Sequence, residues 1–178
     1  MLFKDMKFIS CNFDSHANEI LTILNDAIIN STALYDYKPR TMDNMVSWFN
    51  TKEKADYPVI GAIDEHGQLM GFASYGRFRE QPAFKYTVEH SVYLHPDFRG
   101  RGVGKALMKE LIERARQQHY HVIIGAIDLE NEGSIYLHQK LGFTHSGTIH
   151  QAGFKFGRWL DLGFYQLVLN TPASPVDG

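Results

Sequence analysis

Apolar and polar positions alternate through Val88-Glu89-His90-Ser91-Val92-Tyr93-Leu94, the period of a half-buried strand. His95-Pro96-Asp97 closes that strand, because proline cannot donate to a ladder. From Val103 the period changes. Apolar residues fall at Val103, Leu107, Leu111 and Ala115, with Ala106 and Ile112 widening the stripe, which predicts a helix to about Gln118. The stretch Phe98-Arg99-Gly100-Arg101-Gly102-Val103-Gly104-Lys105 therefore lies where a strand turns into a helix.

The same patterning predicts the other elements. Met6 to Ser10 reads as a first strand. Asp14-Ser15 offers N-caps for a helix marked by Ala17, Ile20, Leu21, Leu24, Ala27 and Ile28. A second helix starts near Thr41 and buries Met45, Val46, Trp48 and Phe49. Val59–Asp64 and Leu69–Tyr75 form a hairpin across Glu65-His66-Gly67, and Arg77–Ala83 is a polar loop. A strongly apolar strand covers His121–Asp128. A short helix runs from about Glu132 to Lys140 and is stopped by Gly142. Strands Thr144–His150 and Leu160–Leu169 are expected to be joined by a loop over Ala152–Arg158. The tail from Asn170 should fray. The order predicts a mixed α/β sheet in one domain spanning residues 1–170, with a short tail over 171–178.

Composition narrows the function. At 178 residues, 44% hydrophobic and 21% charged, the chain suits one globular domain with a real core. A formal charge of −2 argues against a nucleic-acid or anionic-membrane partner. The single cysteine, Cys11, excludes an intramolecular disulfide and fits a reducing compartment. Neither a membrane-span-length apolar run nor a signal-peptide pattern is visible, so a cytoplasmic location is expected. The histidines lack metal-ligand spacing, and no metal site is expected.

The Gly-rich stretch carries the first chemistry. Glycine inside a helix costs roughly 0.5–1 kcal/mol relative to alanine, and Arg99, Arg101 and Lys105 sit at the helix end that disfavours cations. An anion held on the exposed N–H groups would account for both features; a solvated Gly-rich turn is the alternative. Glu89, set among apolar residues, is a base candidate whose burial would raise its pKa. The other reading of Glu89 is an outward-facing residue on the strand's polar face.

Arg99-x-x-Gly102-x-Gly104 resembles the pyrophosphate-binding loop of the GNAT acetyltransferase superfamily. Thr87-Val88-Glu89-His90-Ser91-Val92-Tyr93, Asn131-x-x-Ser134-Ile135-x-Leu137-His138 and Lys155-Phe156-Gly157-Arg158-Trp159-Leu160-Asp161 resemble its phosphinothricin and methionine sulfoximine branch. The resemblance runs from about Ile20 to Leu169.

That resemblance implies the GNAT fold, a mixed and mostly antiparallel sheet of about seven strands flanked by about four helices. It implies an acetyl-CoA-dependent N-acetyltransferase acting on the α-amino group of phosphinothricin, methionine sulfoximine or methionine sulfone, as a homodimer. Acetylation of a polyamine or a peptide N-terminus, or a non-catalytic CoA-binding module, are the alternatives.

The matched motifs carry roles residue by residue. Glu89 falls at the family's active-site carboxylate, and His138 stands where many members have a leaving-group tyrosine, as acid or as structural hydrogen-bonder. Backbone amides of Val92, Tyr93 and Leu94 are implied to meet the cofactor's pantetheine and thioester. Arg99, Gly100, Arg101, Gly102, Val103, Gly104 and Lys105 would hold its diphosphate, with Asn131 and Ser134 near the pantetheine. Arg79, Glu89, His90, Ser91 and Lys155 are the acceptor-site candidates, with Arg158 a rival cation.

Overall fold

Seven strands and four α-helices form among residues 6–178, the part of the chain that the computed structural model describes. In chain order they are β1 (Lys7–Ser10), α1 (Phe13–Asn30), α2 (Met42–Lys54), β2 (Val59–Ile63), β3 (Leu69–Arg77), β4 (Thr87–Leu94), α3 (Val103–Gln117), β5 (Val122–Asp128), α4 (Glu132–Lys140), β6 (Thr144–Lys155) and β7 (Arg158–Val168). The strands make one open, mostly antiparallel sheet in the order β1-β2-β3-β4-β5-β7-β6. β4 and β5 run parallel, with Thr87, Val88 and Glu89 opposite Val122, Ile123 and Ile124.

Two compact units share this chain. The first comprises the described residues up to Tyr75 together with Ser91–Leu111. Its core gathers Ile20, Ile23 and Leu24 of α1, Met45 and Phe49 of α2, and Leu69 and Phe72 of β3. Fully burying each such side chain contributes roughly 1.5–3 kcal/mol. Cys11 lies in the same cluster, and burial pushes its thiol up to about 12, so it is an inert apolar group at neutral pH.

The helix starts depart slightly from the sequence reading. Asn12, not Asp14 or Ser15, caps α1, its side chain accepting from the Ser15 N–H at 2.9 Å. Thr41 caps α2 through a reciprocal capping box with Asn44. On α2 the buried residues are Met45 and Phe49, whereas Val46 is exposed.

The second unit comprises Gly76–His90 and Ile112–Gly178. Here α4 has the predicted bounds, and Gly142 follows its end at φ 92°. A 3-10 turn over Pro82–Phe84 interrupts the expected polar loop. The largest correction concerns residues 152–158. They are not a loop: β6 runs on to Lys155 and β7 starts at Arg158, leaving Phe156 and Gly157 as a two-residue turn, both at positive φ. A register shift between Ile149 and Gly153, with Gln151 at φ 54°, lets the longer strand stay paired. The tail is also tied down. The Thr171 hydroxyl donates to the Tyr120 carbonyl, His121 Nδ1 meets the Thr171 carbonyl at 2.8 Å, and the Val176 N–H reaches the Tyr86 hydroxyl at 3.1 Å.

Candidate active site

Strand alternation sets the first part of the site. In β4, Val88 and His90 are buried while Glu89 between them is half-buried. Burial raises the Glu89 carboxyl above its ordinary range, and the Arg79 guanidinium partly opposes the rise. Arg79 itself is exposed and stacks its guanidinium over the Phe78 ring at 4.7 Å. The structure thus brings a protected carboxylate and a cation within each other's field, two residues that the sequence could only list separately.

His90, next along β4, meets His138 of α4. Their Nε2 atoms are 2.8 Å apart and the rings stack at 4.9 Å, 25° from parallel. Phe143 closes edge-on against both, at 5.7 and 5.0 Å. His138 Nδ1 lies 2.6 Å from the Ser134 carbonyl oxygen, one helical turn back. Both rings are buried, and burial lowers the proton affinity of each, that of His90 to about 3. Gly125, beside His90 on β5, makes the contact possible. A Cβ there would stand 2.8 Å from His90 Nε2 and 2.9 Å from His138 Nε2.

In the first unit β4 ends through half-buried Val92, Tyr93 and Leu94. Tyr93 packs on Phe72 with ring centroids 5.6 Å apart. A 3-10 turn over Pro96–Phe98 leads to the Gly-rich stretch. Gly100 and Gly102 take φ values of 72° and 83°, where a side chain would be strained. The Gly102 carbonyl accepts the first intrahelical bond of α3 from the Ala106 N–H at 3.1 Å, so the free amides of α3 begin at this turn. Gly104 is buried in its first turn and Lys105 is exposed. Arg101 lies over the Phe98 ring at 5.8 Å. Arg99 Nη2 is 2.6 Å from Asp26 Oδ2 of α1 and 3.4 Å from the Leu94 carbonyl.

The remaining candidates divide. The Asn131 side chain caps α4, accepting from the Ser134 N–H at 3.1 Å. Ser91 is half-buried. Lys155 is not a loop cation: it ends β6, is 4% exposed, and sits 5.1 Å from the Phe156 ring. Arg158 is committed within the chain, its Nη2 2.6 Å from buried Asp128 and 3.2 Å from Glu130. The sequence reading singled out neither Asp26 nor Asp128; each is recognisable only through the arginine that the fold brings to it. No group of three or more His, Cys, Asp and Glu suited to a metal occurs among the described residues.

Residues 22–143 match the family model for the acetyltransferase (GNAT) family. The chain belongs to the GNAT family. A methionine sulfoximine/methionine sulfone acetyltransferase of Pseudomonas aeruginosa is 48% identical over 155 residues, covering 87% of this chain and 90% of that one. A solved Acinetobacter baylyi structure is 64% identical, with a TM-score of 0.96 and 97% of each chain covered. A GNAT phosphinothricin acetyltransferase from Sinorhizobium meliloti, solved with acetyl-CoA, is 34% identical, with a TM-score of 0.91 over 96% of this chain and 92% of that one. This GNAT chain is an acetyltransferase of the branch to which those relatives belong.

Proposed function

We propose that this acetyltransferase moves the acetyl group of acetyl-CoA to the α-amino group of a small amino-acid analogue of the methionine sulfoximine, methionine sulfone and phosphinothricin class. The observation that carries this is the Glu89–Arg79 neighbourhood: a half-buried carboxyl held above its ordinary pKa, with a guanidinium acting on it. A zwitterionic acceptor needs both groups, a base for its ammonium and a cation for its carboxylate. The names of the relatives support the same substrate class.

On this reading Arg99, Gly100, Arg101, Gly102, Val103, Gly104 and Lys105 hold the diphosphate. The left-handed glycines and the free amides of α3 suit an anion there. Backbone amides of Val92, Tyr93 and Leu94 take the pantetheine arm and thioester oxygen, and Asn131 and Ser134 are further cofactor candidates. Acetyl-CoA supplies the activated acyl group. Glu89 takes a proton from the ammonium, the freed amine nitrogen attacks the thioester carbon, the carbon–sulfur bond breaks, and the acylated nitrogen releases its second proton to solvent. His90, Ser91 and Lys155 complete the acceptor candidates.

The enzyme is further read as a cytoplasmic homodimer. Exposed Phe154, Phe156 and Trp159 at the β6–β7 turn favour self-association, and no helix among the described residues is long and apolar enough to cross a membrane. Incubation with acetyl-CoA and L-methionine sulfone tests the activity. One N-acetylated product should form per thiol released; free thiol without acetylated product would refute it.

A further inference from the structure

The proton inventory of the His90–His138 pair follows from its partners. A carbonyl oxygen only accepts, so His138 Nδ1, 2.6 Å from the Ser134 carbonyl, carries the hydrogen. The Ser134 hydroxyl oxygen lies 3.4 Å from the same nitrogen. Burial keeps both rings neutral at neutral pH, so each holds one N–H. His138 Nε2 is then a bare lone pair, and His90 Nε2 at 2.8 Å must donate into it. What remains is His90 Nδ1. It is bare and buried, and no hydrogen-bond partner reaches it.

The surroundings preserve this state. Phe143 and the space left by Gly125 enclose the pair on β5 and after α4. The Tyr165 ring of β7 stands 6.4 Å from His138, with His145 of β6 beyond it at 5.3 Å, and Glu89 adjoins His90 along β4. Both N–H groups are engaged, one by a carbonyl and one by the other ring. Giving up either proton would create an imidazolate. Taking one up is the open direction: it binds at His90 Nδ1, the Nε2 proton shifts to His138, and the resulting imidazolium still donates to Ser134.

We propose that His90 sets the tautomer of His138. By donating to His138 it holds that ring in the Nδ1–H form, so the pair supplies no proton to the departing thiolate. The thiolate then takes its proton from water. This rests on the acetyltransferase reading above, but its first test needs no substrate.

The test is nitrogen NMR of the full chain labelled at histidine, between about pH 5 and 9. His138 should show a protonated Nδ1 and a bare Nε2, and His90 the opposite. In His90→Phe the donor is lost, and His138 should ionise at a higher pH than in the wild type. His90→Gln offers an amide N–H near the lost one and should restore the wild-type His138 signal. Wild-type kcat should show no fall on the alkaline side of the histidine range. A proton on His138 Nε2 at neutral pH would overturn the proposal. So would a His90→Phe variant with wild-type His138 signals.

Discussion

Arg99 of the Gly-rich loop is held by Asp26 of α1, with Nη2 2.6 Å from Oδ2. The guanidinium is about half exposed, so the pair contributes little to stability; exposed pairs are worth roughly 0.2–1 kcal/mol. If Arg99 holds the cofactor diphosphate as proposed, that diphosphate competes with Asp26 for the same cation. Asp26→Asn should therefore tighten acetyl-CoA up to about fivefold, and Arg99→Ala should weaken it. Calorimetry reads both. Weaker binding in Asp26→Asn would mean that the carboxylate holds Arg99 in place.

Glu89 must be ionised to act as a base, and burial raises its pKa. If Glu89 is the base, activity should be lost as pH falls through that raised value and present above it. Glu89→Gln keeps the shape and removes the proton acceptor, so kcat should fall roughly 10²–10⁴-fold, with acetyl-CoA affinity unchanged. The acidic limb of the kcat profile should vanish with it. Near-normal turnover in Glu89→Gln would leave the reaction without this base.

Arg79 is exposed, and its only ring contact among the described residues is the adjacent Phe78. If it neutralises the carboxylate of the acceptor, Arg79→Ala should raise KM for methionine sulfone about 10–100-fold, at roughly 1.4 kcal/mol per tenfold. An amine without a carboxylate should be little affected. An unchanged KM for methionine sulfone would remove Arg79 from the acceptor site.

The two buried histidines make the fold acid-sensitive. The folded state keeps them neutral, while the unfolded chain takes up protons near pH 6.5. Below that value the unfolded chain binds more protons, so stability falls as pH falls from 6.5 toward the folded value of about 3 for His90. Above 6.5 this contribution is complete. Each pH unit of descent costs up to about 1.4 kcal/mol per histidine. Thermal unfolding should show Tm dropping between about pH 6.5 and 5, before most carboxylates titrate, and His90→Phe should flatten the drop. A wild-type Tm constant over that range would contradict the assigned neutral pair.

Local signals carried the sequence reading far. The period change after Leu94 located β4, the loop and α3, and Gly142 marked the end of α4. The Ala152–Arg158 segment misled, because its glycines and cations have the composition of a loop. A bulge at Gln151 and a two-residue turn kept it in strand instead. Partnerships were illegible for a different reason. His90 and His138 are 48 residues apart, Arg158 and Asp128 30, and Arg99 and Asp26 73, and only tertiary folding makes them neighbours. The resemblance placed Glu89 at an active-site carboxylate; Arg79 as the cation acting on it had to come from the structure.

The most direct measurement is initial-rate thiol release from acetyl-CoA across an amine panel, with each product identified by mass. The panel needs L-methionine sulfone, L-methionine sulfoximine, phosphinothricin, spermidine and a short peptide with a free N-terminus. The amino-acid analogues should give the highest kcat/KM and carry the acetyl group on the α-nitrogen. Spermidine or the peptide outrunning all three, or acetylation at any other nitrogen, would contradict the account.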